Sequence, residues 1–164
     1  MRSVADIRQS YSAGRAALRE RYSNPKTATP VLRALTRLCD ATLRELWRLH
    51  DFPAKLLLIA VGGYGRREQY PFSDTDLLIL LPDDTTNAGL HEKLELFVSE
   101  LWDIGLDIGH SVRTLADCLI EADKDITVQT SLLENHLIEG DKTRFAAFRA
   151  TVHRHLDPKE FFEA

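Results

Sequence analysis

Cysteine is scarce. Two residues in 164, Cys39 and Cys118, lie far apart with no CxxC spacing, which argues against a disulfide framework or a thiolate zinc site and fits a reducing compartment. Long apolar runs are missing too: Leu56 to Val61 and Leu77 to Leu81 fall far short of the ~18 residues a membrane-spanning helix needs. The opening MRSVADIRQSYSAGR lacks the apolar stretch of a signal peptide. Basic excess is absent as well, with 21 Lys and Arg against 25 Asp and Glu, a net charge of −4 and a pI of about 5.9. Nothing therefore draws the chain as a whole to phosphate polymers or anionic lipid. The expectation is a soluble cytoplasmic protein with neither a membrane nor a nucleic acid as partner. What the sequence does hold, 44% hydrophobic residues, suffices to bury a core without staples, and the length predicts one domain.

Apolar periodicity predicts helices over Ala5–Tyr22 and from Thr29-Pro30 to His50, the second carrying Val31, Leu32, Leu35, Leu38, Thr42, Leu43, Leu46 and Trp47. Pro53 closes it, because proline disfavours helical geometry in the residue before it. Lys55–Val61 reads as a strand buried on both faces, followed at once by Gly62-Gly63-Tyr64-Gly65. Asp74–Leu81 reads as a second strand. A helix from Leu90 to Trp102, ended by Gly105, precedes a third strand over Leu106–Arg113, in which Leu106, Ile108, His110 and Val112 alternate with a polar face. Helices are expected over Leu115–Glu121, Thr127–Glu139 and Thr143–His155. This order predicts an α+β fold, a small mixed sheet with flanking helices. Its expected parts are a helical extension (residues 1–53), a core (54–122) and C-terminal helices packed on it (123–164), together one compact unit.

Asp74 and Asp76 stand two apart on the second predicted strand and so project from one face. Carboxylates roughly 6 Å apart repel by about 2 to 3 kcal/mol at an effective dielectric near 20, and a cation relieves that repulsion. Hard oxygen ligands suit Mg²⁺, which takes one or two carboxylates and completes its shell with water and substrate phosphates. Asp107 lies on the polar face of the third strand, and three carboxylates converge if that strand neighbours the second. Upstream, Gly62, Gly63 and Gly65 lack the β-carbons that would hold a triphosphate away from backbone N–H groups. Arg66 is a candidate to neutralise a leaving pyrophosphate, and Ser73 adjoins the acidic pair. These are the parts of phosphoryl or nucleotidyl transfer. Glu68 occupies the third glycine's place of a dinucleotide-binding loop, and no GK[ST] supports a P-loop.

Gly-Gly-Tyr-Gly-Arg followed by Ser-Asp-x-Asp resembles the signature of the DNA polymerase β-type nucleotidyltransferases. More narrowly, AVGGYGRREQYPFSDTDLLILLP, LWDIGLDIGHSVRTL and SLLENHLIEGD are similar to the N-terminal domain of the bacterial PII uridylyltransferase/uridylyl-removing enzymes, over about Arg15 to Asp141. The resemblance implies the polymerase β-type fold and transfer of UMP from UTP to a tyrosine of the PII nitrogen-regulatory protein, releasing pyrophosphate. It also implies two Mg²⁺ ions, Gly62 and Gly63 in the nucleotide-phosphate loop, and Asp74 and Asp76 as metal ligands with Asp107 as third acid. Arg67 departs from the family's usual glycine, and Asp107 from its common glutamate. Neither the family's HD hydrolase domain nor its ACT domains is expected in this chain, since His50-Asp51 reads as a helix end. Two alternatives stay open: ATP as donor to another protein or small molecule, and a silent nucleotide-binding module. His110 and Ser111, beside Asp107, read equally as the lining of a base or ribose pocket and as ordinary strand residues, whereas His136 on a helix reads as a packing or capping group, His153 and His155 as surface residues, and the Leu/Trp stripes as core.

Overall fold

Four strands share one sheet, in the order β3-β2-β1-β4. The computed structural model describes residues 2–22, 26, 28–66, 74–83 and 88–156. Its elements are α1 (Val4–Tyr22), α2 (Ala28–Leu49), β1 (Leu57–Val61), α3 (Gly62–Gly65), β2 (Thr75–Leu81), α4 (Ala88–Ile104), β3 (Ile108–Thr114), α5 (Leu115–Lys124), α6 (Ile126–Leu133), β4 (Asn135–Glu139) and α7 (Lys142–His155). β1 runs antiparallel to both β2 and β4. The Thr75 N–H donates to the Asp107 carbonyl at 2.8 Å, which sets the start of β3 beside the start of β2, a parallel relation. The sheet is therefore mixed and the fold α+β, as the order of elements predicts.

β1 is central, and every one of its residues is buried. That position explains its unbroken apolar run, since a strand covered on both faces has no polar side to present. Leu57, Ile59 and Val61 join Leu78 and Leu80 of β2 on the sheet face that packs against Cys118 and Ala122 of α5, Leu132 of α6, and Phe148 and Val152 of α7. Side-chain caps start the covering helices. Thr114 and Asp117 form a reciprocal box at α5, and the Asp125 and Asp141 carboxylates accept from the backbone at α6 and α7.

The segment expected as one helix over Thr127–Glu139 divides: α6 ends at Leu133 and Asn135–Glu139 is a fourth strand. Pairing with β1 overrides helical propensity here, and His136 and Ile138 turn inward at a period of two. β3 lies at the sheet's edge, so the expected apolar face is not buried along its length. Ile108 is buried, while His110 and Val112 are exposed. The stripe on α4 is core at Leu90, Leu94, Phe97 and Leu101, but Trp102 is half exposed.

Two compact units emerge from the contacts. One holds α1, α2 and α4 and runs on to Gly109. In it, Ile7, Leu43, Leu46 and Leu101 are buried, and the Trp47 ring meets Phe97 edge-on at 5.3 Å. His50 and Asp51 do end α2: Asp51 takes a left-handed φ of 50°, and His50 Nε2 lies 2.5 Å from Glu100 Oε2. The other unit holds β1, α3, β2 from Asp76 and the chain from His110 onward, and with them the glycine turn and Asp76. No helix among the described residues is long and apolar enough to cross a membrane.

Burial pushes both thiols up, Cys39 to about 12 and Cys118 to about 11, and at Cys39 it outweighs the opposing effect of a hydrogen bond from the Tyr11 hydroxyl. In the unfolded chain both ionise near their ordinary value, so the folded state holds more protons above roughly pH 9 and stability falls from there upward. At pH 8 we expect iodoacetamide to label the folded chain about 100-fold more slowly than the urea-unfolded chain. The urea midpoint should drop between pH 8 and pH 10.5, and drop less in the Cys39→Ala/Cys118→Ala variant.

Candidate active site

β1 feeds directly into the glycine turn. Val61 is extended (φ −131°, ψ 166°), Gly62 then adopts φ 65°, and the chain closes one helical turn with the Arg66 N–H donating to the Gly62 carbonyl at 3.0 Å. The segment expected as the nucleotide-phosphate loop is thus the short helix α3. A side chain at Gly62 would be strained by that φ, and its Cβ would lie 3.1 Å from Ser131 Oγ and 3.3 Å from Asp76 Oδ2. The Asp76 carboxylate therefore stands against the turn. Sheet register delivers it there: Leu57 pairs with Leu80 and Ala60 with Leu77, and one more step brings Val61 to Asp76. Asp76 shares the face of Leu78 and Leu80 by the two-residue alternation of the strand and is half-buried.

Gly65 is packed on both sides by backbone. A Cβ there would fall 2.0 Å from the Glu134 carbonyl oxygen and 3.0 Å from that of Ala60. His136 Nδ1 donates to the Gly65 carbonyl at 3.0 Å, and its ring meets Tyr64 edge-on at 5.4 Å. Gly63 differs: it is half-buried, and among the described residues a Cβ on it would meet only Arg66 Nη2, at 3.5 Å. This stretch of backbone stays approachable. Arg66, expected to face a pyrophosphate, pairs with Glu134, so an anionic ligand competes with that carboxylate for the guanidinium. Asn135 lies opposite Val61 and donates through Nδ2 to the Leu132 carbonyl at 2.6 Å.

Asp74 is exposed and precedes the first residue of β2, just outside the strand expected to hold it. Asp107 is exposed at the entry to β3, held through its carbonyl by Thr75. The strands that these two acids precede, β2 and β3, are neighbours in the sheet. Among the described residues no group of three or more His, Cys, Asp or Glu side chains is placed to hold a metal ion. Asp76 beside a turn shaped for close backbone approach suits an ion that shares its shell with phosphates, in place of a closed protein cage. Ser73 and Arg67 lie outside the described residues. Ser131, Glu134 and His136 were not anticipated. Their signal was the segment SLLENHLIEGD, which reads as helix until β4 is seen to pair with β1.

The family model for nucleotidyltransferase DUF294 matches residues 15–111, the stretch that contains the glycine turn, Asp74, Asp76 and Asp107. The chain belongs to this nucleotidyltransferase family. Among its relatives is the bifunctional uridylyltransferase/uridylyl-removing enzyme of Nitrosospira multiformis, 45% identical over 95% of this chain and 18% of that one. The enzyme of the same name from Aromatoleum aromaticum is 41% identical over 99% of this chain and 19% of that one. The chain spans about a fifth of the length of these relatives. A solved toxin–antitoxin structure with AMP-PNP aligns at a TM-score of 0.45 and 20% identity, over 73% of this chain and 90% of that one, a likeness too slight to bear on function.

Proposed function

We propose that this nucleotidyltransferase takes UTP as donor and transfers UMP to a tyrosine of the PII nitrogen-regulatory protein, releasing pyrophosphate. The observation that carries the chemistry is the Asp76 carboxylate set against Gly62, beside the approachable backbone of Gly63. The uridylyl group is supported by relatives 41–45% identical that bear the name uridylyltransferase, and the acceptor by the resemblance of the three sequence segments.

Asp76 and Asp74 would hold a divalent cation, magnesium by the chemistry of hard oxygen donors, with Asp107 as the third acid. When bound, such ions neutralise phosphate charge and favour the deprotonated tyrosine, whose ordinary pKa is about 10. The backbone at Gly62 and Gly63 would receive the phosphates. Arg66 would exchange Glu134 for the leaving pyrophosphate. The tyrosine oxygen bonds to the α-phosphorus as the α–β bridging bond opens, and we assign Asp107 to take the tyrosine proton.

Mass spectrometry of purified PII protein incubated with the chain, Mg²⁺ and either UTP or ATP tests donor and acceptor together. A uridylyl increment on a tyrosine is expected. An adenylyl increment would replace the donor, and nucleotide binding without any increment or pyrophosphate would reduce the chain to a silent nucleotide-binding module.

A further inference from the structure

The chain's charge is unevenly distributed. Its first fifty residues carry ten basic and four acidic side chains, whereas the remainder carries eleven and twenty-one. Much of that local excess sits on α2. At 100° per residue, Arg33, Arg37, Arg44 and Arg48 fall within an arc of about 60° and extend about 22 Å along the helix. Arg33, Arg37 and Arg48 are exposed and Arg44 is half-buried. The helix's opposite face, Val31, Leu35, Leu43 and Leu46 among it, is core.

A solvated helix face ordinarily interleaves both signs, since like charges four residues apart weaken a helix. On α2, Arg33 and Arg37, and again Arg44 and Arg48, stand four apart. Of its two acids, Asp40 is buried and Glu45 is bridged by Arg2 at 3.1 Å. At the helix's end the stripe opens into a cavity of about 470 Å³ lined by Arg2, Arg44, Glu45 and Arg48 over Ala41 and Leu49. Three guanidinium groups thus line the cavity with a single carboxylate, that of Glu45, which Arg2 bridges.

We infer that this arginine face of α2 docks an acidic segment of a protein partner. Guanidinium forks pair bidentately with carboxylates, and about seven extended residues match the length of the stripe. A long nucleic acid fits less well, because the excess of ten negative charges on the remainder of the chain repels a uniformly anionic polymer. The inference is independent of the nucleotidyltransferase reading, and the test leaves Asp76 untouched.

Fluorescence anisotropy with a labelled peptide of about eight glutamates, at low ionic strength and with the full chain, tests it. Binding should weaken as salt is raised. It should fall at least about tenfold in Arg37→Glu/Arg48→Glu and less than about twofold in the control Arg149→Glu/Arg154→Glu on α7. The neutral pair Arg37→Gln/Arg48→Gln should lie between wild type and the α2 reversal, and serves if that reversal disturbs the thermal midpoint. Equal losses in the two reversals would reduce the effect to net charge and overturn the proposal. So would an absence of binding by wild type, or tighter binding to an oligothymidylate of equal charge.

Discussion

Asp76→Asn should abolish transfer while leaving a folded chain. The substitution keeps the shape of a half-buried side chain at the second position of β2 and removes only its charge. The packing of Leu78 and Leu80 against β1 and α5–α7 does not depend on that charge. A metal-holding carboxylate contributes several kcal/mol to stabilising a phosphoryl transition state, so kcat/KM should fall on the order of 1,000-fold. Labelled UTP, the acceptor protein and Mg²⁺ give the rate, while circular dichroism and the urea midpoint report the fold. Near-normal turnover in a folded Asp76→Asn would remove this residue from the chemistry and, with it, the reading of the glycine turn as a phosphate site.

Gly65→Ala and Gly63→Ala, two residues apart, should behave in opposite ways. At Gly65 the new methyl would sit 2.0 Å from one backbone oxygen and 3.0 Å from another, and neither can swing aside as a side-chain tip does. To admit it, β1 and the entry to β4 must part where His136 holds the Gly65 carbonyl. A loss of about 3 kcal/mol is expected, large against the roughly 5–15 kcal/mol that holds a typical domain. At Gly63 the nearest atom among the described residues is the movable end of Arg66 at 3.5 Å, so urea unfolding should show little change. The methyl there would instead obstruct the proposed phosphate approach and raise the KM for UTP. If Gly65→Ala unfolds at the wild-type midpoint, the close approach of Glu134 to this turn is wrong.

Much of the candidate site is legible in the sequence because its signals are local. Proline and glycine bracket Leu57–Val61, three glycines follow within four residues, and the acidic pair has a spacing of two. The β-hairpin-like pairing of β1 with β2 then carries Asp76 to Gly62, as two-residue alternation requires. Ser131, Glu134 and His136 gave no comparable signal. Their segment is too short for apolar period to separate helix from strand, and its strand character comes from a partner more than seventy residues earlier in the chain. Asp107 was legible as an acid at the entry to β3, but the direction taken by an exposed side chain there is not encoded in spacing.

Sequence alone determined which stretches had to be buried, where the backbone had to turn without a β-carbon, and which acids adjoined that turn, because each is a property of a few consecutive residues. Tertiary structure alone decided that α3 is a helical turn clasped by the α6–β4 junction, that Arg66 meets Glu134, and that no three metal-binding side chains gather among the described residues. Those outcomes depend on strand register and on backbone approaches between distant segments, where a shift of one residue reverses every side chain and no local pattern records the choice.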